Sequence, residues 1–521
     1  MRWPQRAAAH LLGLGLVAAV LVALPVAPSD LDRHQFPKET IVHLAVFLAV
    51  LLSRPWPAVG ITPAMRAMAI GLAGWSIVSS AFATNPWLAL RATSITVTGL
   101  VALVTARHVA AHGGAAILLG WAAAAAGLGA GTGLAQVYGV EHPFFAELRA
   151  PGGTFGNRNF LAHLAAVSLP TIALVLLTAR RRLLVVVAAL GIAAIAAALV
   201  LTRSRAGWLA AGAGLGVVVL ALLLARRRAG VPISPRRVGL AVLLVLGGLA
   251  AATTLPNALE WRTDSPYSDT LGNLANFREG SGRGRLLQYQ NSLALAMEHP
   301  VVGVGPGNWP LHYGDVAPRN DPSWASNDIV PLNPWPSSDW VALLSERGAL
   351  AVLFGLGLGM AVCWRGWRGV AAGGHRAVHG AALGGTMAAL FVAGAFDAVL
   401  LLAVPALFGA VTMGALLHGA DGEAMAAPRA GSPRALLLAA LVGVGLLRSA
   451  TQTSAYLVAG DGSSRERLAR AAVIDPFNYQ IRIALGRRGP CRSAREHARA
   501  ALELAPTWRA PQRAVARCGG R

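Results

Sequence analysis

The feature that most limits what this chain can fold into is its succession of long apolar stretches. Thirteen segments, near 7–27, 40–53, 67–83, 92–106, 115–135, 160–179, 183–201, 208–225, 238–255, 341–363, 377–396, 398–418 and 435–450, hold few or no charges. A bilayer core takes about 20 apolar residues of helix. Backbone in lipid must also satisfy its own polar groups, which a helix does. The expected fold is therefore all-α, a polytopic membrane bundle of about 12–13 transmembrane helices. Only 13% of residues are charged and 55% are hydrophobic, where soluble domains run near a quarter charged.

A net charge of +22 would suggest nucleic acid in a soluble chain, but here the cations fall mostly in short connections. One alternating set of connections carries Arg54, Arg66, Arg107, Arg180 to Arg182, Arg365 and Arg434. The other set is poorer in Arg and richer in Pro, acidic and aromatic residues: Pro28 to Glu39, Ala83 to Arg91, Gln136 to Arg158 and Thr202 to Gly207. Cationic loops stay cytoplasmic, so the N-terminus is expected inside and the second set outside. No nucleic-acid partner is expected. The basic start and apolar core ending near Ala27 look like a signal peptide, yet the many later spans favour an uncleaved first helix.

Between Pro256 and Trp340 about 85 residues contain no spanning run. Loops this long are uncommon unless functional or disordered, and the Trp content together with Leu293, Leu295, Ala296 and Met297 argues for order. This segment, 256–340, is the expected reaction chamber on the outer side of a membrane domain spanning 1–450. The tail, 451–521, changes character. ARAAVIDPFNYQIRIAL and ARAALELAPTWRAPQRAV align Pro on Pro, a pattern similar to tetratricopeptide repeats. The expectation is a small helical hairpin docked on the membrane domain, with a frayed amphipathic tail as the alternative. Cys363, Cys491 and Cys518 lack metal-ligand spacing, so neither metal nor cofactor is expected. An outward tail would allow a Cys491–Cys518 disulfide; a cytosolic one would leave free thiols.

The outward motifs carry the candidate chemistry. RAPGGTFGNRNFLAHLAAVSLP sets Asn157, Arg158 and Asn159 at a span mouth, where polar groups line a cavity rather than face lipid; an N-cap explains one Asn without further function. LTRSRAGWLA puts Arg203 and Arg205 on the side where positive charge is disfavoured, which calls for an anionic partner, since Arg pairs phosphate bidentately. Headgroup snorkelling is the alternative. Arg283 and Arg285 in SGRGR follow the same logic. VGVGPGNW lacks the context of a phosphate loop and reads as a tight turn allowing close backbone approach, with Asn308 beside the cavity. In WPSSDWVALLSERGAL, Ser337 or Ser338 suits an N-cap, and Asp339 and Glu346 share a helix face. Those carboxylates either stabilise a helix mouth or deprotonate a hydroxyl. Asp397 interrupts an apolar run and falls at the expected tip of a helical hairpin.

GGTFGNRNFLAHLAAVSLP, LTRSRAGWLA, GRGR with MEHPVVGVGPGNW, and DWVALLSERGAL, in this order, resemble the O-antigen ligase and polymerase superfamily over roughly residues 60 to 415. The resemblance implies a membrane glycosyltransferase of the bacterial inner membrane. It would take a glycan from a polyprenyl-diphosphate carrier and pass it to lipid A-core or another glycan. No metal or nucleotide sugar is implied. Arg205, Arg283 and Arg285, with Arg203 beside them, would bind the diphosphate; Glu346 and Gly348 match the Glu-x-Gly heading a span. Ligases of the family carry a His-Asn pair where this chain has Ser337 and Ser338. The catalytic expectation therefore moves to Asp339 and Glu346, with His299 or His312 as further substitutes, or to a polymerase-like reliance on Arg alone. Two other classes stay open: a transporter of lipid-linked solutes, and a non-catalytic assembly partner docking through the tail.

Overall fold

The computed structural model describes residues 3–54, 61–145, 150–229, 231, 233–261, 263–274, 276–318, 320–322, 324–325, 328–331, 334–422 and 433–518. The membrane domain begins with helices α1 (Trp3–Leu21), α2 (Asp30–Ser53), α3 (Pro63–Ser80), α4 (Pro86–Val109) and α5 (Ala115–Val137). It continues with α6 (Arg158–Thr178), α7 (Arg182–Thr202), α8 (Arg205–Ala229) and α9 (Pro235–Thr254). The long loop holds α10 (Pro266–Gly272), α11 (Gly280–Glu298) and α12 (Trp309–Val316), followed by a two-stranded antiparallel ribbon of β1 (Trp324–Ala325) and β2 (Asp328–Pro331). The bundle resumes with α13 (Asp339–Ala372), α14 (Gly374–Phe396), α15 (Ala403–Asp421) and α16 (Arg434–Ala459). The tail comprises α17 (Arg465–Ile474), α18 (Tyr479–Arg487), α19 (Cys491–Leu504) and α20 (Arg509–Arg517).

Among the described residues, eleven segments are long and apolar enough to cross a membrane. One of them, Pro86–Val137, has 52 residues, about 78 Å of helix at 1.5 Å per residue, over twice the bilayer core. Non-helical torsions at His112 and Gly113 (φ 93°) break it into α4 and α5, so it supplies two crossings. α3 falls outside the eleven because Arg66, Ser76, Ser79 and Ser80 lower its apolarity.

Local chemistry sets the helix starts. Thr62 accepts from the Met65 N–H with Pro63 in the first turn, and Asn85 accepts from Trp87 and Leu88 with Pro86 behind it, the pattern of a cap followed by proline. Between helices, small residues permit close approach, as membrane packing requires. A Cβ on Gly385 would lie 2.7 Å from the Gly214 carbonyl, across the α8–α14 contact. Leucines such as Leu183, Leu190, Leu243 and Leu353 remain exposed on the outer faces of α7, α9 and α13, where lipid would cover them.

The tail packs on the same end as the long loop. Trp508 Nε1 donates to the Pro310 carbonyl at 3.1 Å, Asn85 Nδ2 to Leu504 O at 3.3 Å, and Arg448 pairs with Asp475 at 3.1 Å. A disulfide joins Cys491 to Cys518 between α19 and the end of α20, leaving Cys363 free.

Candidate functional site

The arginines from LTRSRAGW and the long loop come together where α8 begins. Arg203 ends α7 in the left-handed region (φ 51°), which turns the chain sharply into α8 and keeps Arg205 at its first residue. Arg205 then reaches the loop: one terminal nitrogen donates to Asn273 O at 2.6 Å and Asn276 O at 3.0 Å, the other to Ser281 Oγ at 3.0 Å. Arg203 donates from Nε to Thr270 Oγ1 at 2.9 Å and stacks 4.7 Å from the Trp261 ring, with Arg158 on the same ring at 5.7 Å. Each of these is a cation–π contact.

Arg285 lies near enough to Arg205 for their charges to oppose each other. Its carboxylate neighbour is Asp397, at 3.9 Å, the outer edge of ion-pair distance. Among the described residues no carboxylate lies within ion-pair distance of Arg203 or Arg205. Arg283, two residues before Arg285 and so on the other side of α11, is exposed. Asp397 stands between α14 and α15, as the interrupted apolar run suggested. Its Oδ1 accepts from the Ala398 N–H at 2.9 Å and its Oδ2 from Asn159 Nδ2 at 3.4 Å. One turn further along α6, His163 is buried within reach of the Asp397 and Arg285 charges, and neither ring nitrogen is hydrogen-bonded. Tyr289 on α11 closes the cluster, its hydroxyl 2.6 Å from Ala395 O and 2.8 Å from Ser337 O. Burial pushes the Tyr289 phenol above its ordinary range, so it stays a donor.

The two carboxylates expected to act on a hydroxyl hold backbone instead. Asp339 accepts from the N–H groups of Val399 (2.9 Å), Leu400 (2.8 Å) and Leu401 (3.3 Å), so it fixes the tip of the α14–α15 hairpin. Glu346 accepts from the Gly307 N–H at 2.8 Å. Around it the VGVGPGNW turn docks on a break in α13: Val304 and Gly305 donate to Ser345 O and Glu346 O at 3.0 and 2.9 Å, and Ala349 to Pro300 O at 3.0 Å. Gly348 (φ 76°) supplies the break, and a Cβ on Gly303 (φ 68°) would overlap the Glu346–Arg347 backbone. Only glycine serves at both positions.

Two cavity-lining expectations change likewise. Asn157 is the N-cap of α6, accepting from Asn159 N at 3.0 Å. Asn308 is fully buried and clamps Asn85, accepting from its N–H at 2.7 Å and donating to its carbonyl at 3.1 Å. Asn159 and Arg158 do belong to the cluster. Ser338 caps α13, while Ser337 is buried with its N–H bonded to Gln288 Oε1 at 2.7 Å. His312 bonds Thr84 at 2.8 Å and packs near His299, on the α4–α12 side; burial lowers its imidazole below the ordinary range.

Sequence reasoning missed Trp261, Tyr289 and Arg347. Arg347 is buried and held by neutral groups, Thr96 Oγ1 at 2.8 Å, Ser76 Oγ at 3.1 Å and Ala92 O at 3.3 Å. It stands with Asp339 and Leu400 on the wall of a cavity of about 700 Å³, lined mainly by apolar residues of α4, α13, α14 and α15 such as Ile95, Leu103, Met360, Phe391 and Met413.

A family model described as O-antigen ligase matches residues 190–330. The match runs from within α7 through α12 into the ribbon and takes in Arg203, Arg205, Arg283 and Arg285. No curated protein matches the chain. The chain is therefore a multi-span helical membrane protein carrying an O-antigen ligase family domain.

Proposed function

We propose that this protein is a glycosyltransferase that moves a glycan from a polyprenyl-diphosphate carrier to an acceptor, in ligase or polymerase fashion, in building bacterial surface polysaccharide. The observation that carries this reading is Arg205, a cation held, among the described residues, by neutral oxygens of the long loop. With Arg285 beside it and Arg203 on Trp261, the site offers bidentate donors to a twice-negative headgroup. The apolar cavity of about 700 Å³ suits the isoprenoid chain of such a carrier.

In the reaction an acceptor oxygen attacks the anomeric carbon. The bond from that carbon to the diphosphate oxygen breaks, the configuration inverts, and the diphosphate leaves with the electron pair. Stabilising that departing charge is the largest contribution a site of this kind makes. The acceptor proton goes to a carboxylate. The geometry favours Asp397 over Asp339, because Asp397 accepts from one backbone N–H and makes only long contacts to Asn159 and Arg285, the latter released when the diphosphate draws Arg285 away. Asp339 is occupied by three backbone N–H groups.

Topology supports the same reading. The tail and the long loop share one end of the bundle, and the Cys491–Cys518 disulfide suits an oxidising compartment. That end is then periplasmic, with the cationic connections in the cytoplasm. The test is Arg205→Ala in cells that make the polysaccharide: high-molecular-weight product disappears from a gel while protein level stays normal. An unchanged ladder overturns the proposal.

A further inference from the structure

His163 stands beside the arginine cluster, and the reaction as derived so far leaves it idle. It lies on α6, which packs against both α8 and α14, the helices that start at Arg205 and end beside Asp397. His163 is 1% exposed, and both ring nitrogens are buried without a hydrogen-bond partner. A buried polar atom left unpaired keeps its full desolvation cost. An apolar ring would fill the same place without that cost, so a histidine here calls for a partner that the resting arrangement does not supply.

The surroundings name that partner. Asn159 and His163 are four residues apart, so their side chains rise from one face of α6, a turn from each other. Asn159 Nδ2 already reaches Asp397 Oδ2 at 3.4 Å. The charges that act on the imidazole are those of Asp397 and Arg285. Of these two, the carboxylate accepts an imidazole N–H, and the guanidinium has no acceptor. At rest Arg285 stands at the same carboxylate oxygen, 3.9 Å away. Asp397 is 7% exposed, and a carboxylate that loses its cation at such a site is left with uncompensated charge. The Ala398 N–H and the long contact to Asn159 answer part of it. An imidazole N–H adds a charge-assisted hydrogen bond, one of the stronger kind.

We propose that His163 is a positioning residue: once a diphosphate draws Arg285 away, an imidazole N–H takes its place on Asp397 and holds that carboxylate toward the acceptor hydroxyl. The proposal rests on the reading of Asp397 as the group that takes the acceptor proton. Transfer from radiolabelled polyprenyl-diphosphate glycan to a glycan acceptor is followed with the full chain in nanodiscs. His163→Phe lowers kcat about 10- to 100-fold, the loss of one hydrogen bond to a charged group, and leaves the KM of donor and acceptor within about twofold. His163→Gln, which keeps a side-chain N–H, recovers kcat to within about threefold of wild type. The Phe variant melts no lower than wild type, because it removes buried polar atoms that had no partner; a histidine that merely braced α6 would lose stability instead. Added to Asp397→Asn, His163→Phe lowers the residual rate by less than about twofold, since both act through one carboxylate. Unchanged kcat in His163→Phe, a Gln variant as slow as the Phe variant, or additive losses in the double variant overturns the role of His163. Full transfer by Asp397→Asn overturns the reading of Asp397 as the base, and this role with it. No transfer by wild type overturns the transferase reading itself.

Discussion

Arginines stand at both ends of the bundle, and two groups of them, Arg107 with Arg365 at one end and Arg203, Arg205 and Arg285 at the other, are satisfied in opposite ways. At the end away from the long loop, Arg107 and Arg365 share Asp421, with nitrogen–oxygen distances of 3.1 and 2.6 Å, and Arg107 also contacts His418 at 3.2 Å. At the loop end Arg205 and Arg203 rest on carbonyls, hydroxyls and an indole, and Arg285 meets Asp397 only at 3.9 Å. A desolvated guanidinium closely paired with a carboxylate has its charge answered within the fold. One held by neutral oxygens is neutralised only when an anion arrives. On the proposed reading, the difference separates arginines that brace helices from arginines placed to receive a ligand, a distinction invisible in a count of cations.

Substitutions at the two ends sharpen that contrast. Arg205→Ala has the largest effect, a loss of transfer of about 10²–10³-fold, the range for removing one preorganised donor from a developing charge. Arg107→Ala does the reverse. It leaves Asp421 short of a buried partner and costs about 3–5 kcal/mol of stability, read by thermal unfolding in detergent, while transfer per folded molecule stays within about twofold. Equal activity losses in the two variants would erase the distinction. Next comes Cys491→Ser: opening a disulfide that spans 27 residues costs about 3–4 kcal/mol, seen as faster proteolysis of the tail. Arg205→Lys keeps the charge but not the planar fork, so transfer falls by about tenfold, between wild type and alanine. Arg283→Ala, at an exposed position, changes transfer by less than about threefold.

Much of this was legible in the sequence, for identifiable reasons. Apolar runs gave the bundle because lipid leaves helices little alternative. Arg203 and Arg205 stood out by contradicting the charge pattern of the connections, and Asp397 by interrupting an apolar run. Other features depend on contacts between distant segments. α2 was expected from residue 40, yet it starts at Asp30, because Asp32, Lys38 and Glu39 are covered by protein rather than lipid; hydropathy cannot distinguish the two. Asp339 and Glu346 share a helix face as expected, but their partners lie 60 and 39 residues away along the chain, and no spacing within α13 reveals them. Trp261 between Arg158 and Arg203 is likewise a meeting of three segments.

The most direct test of the central claim is binding of the carrier itself, before any chemistry. Purified full-length protein in nanodiscs is incubated with radiolabelled polyprenyl-diphosphate glycan, and the bound fraction is measured for wild type, Arg205→Ala, Arg285→Ala and Arg107→Ala. The account expects retention by wild type and Arg107→Ala and at least about tenfold weaker binding by the two loop-end variants, the loss of one charge-assisted pair of hydrogen bonds. Carrier held equally well by all four proteins would contradict it.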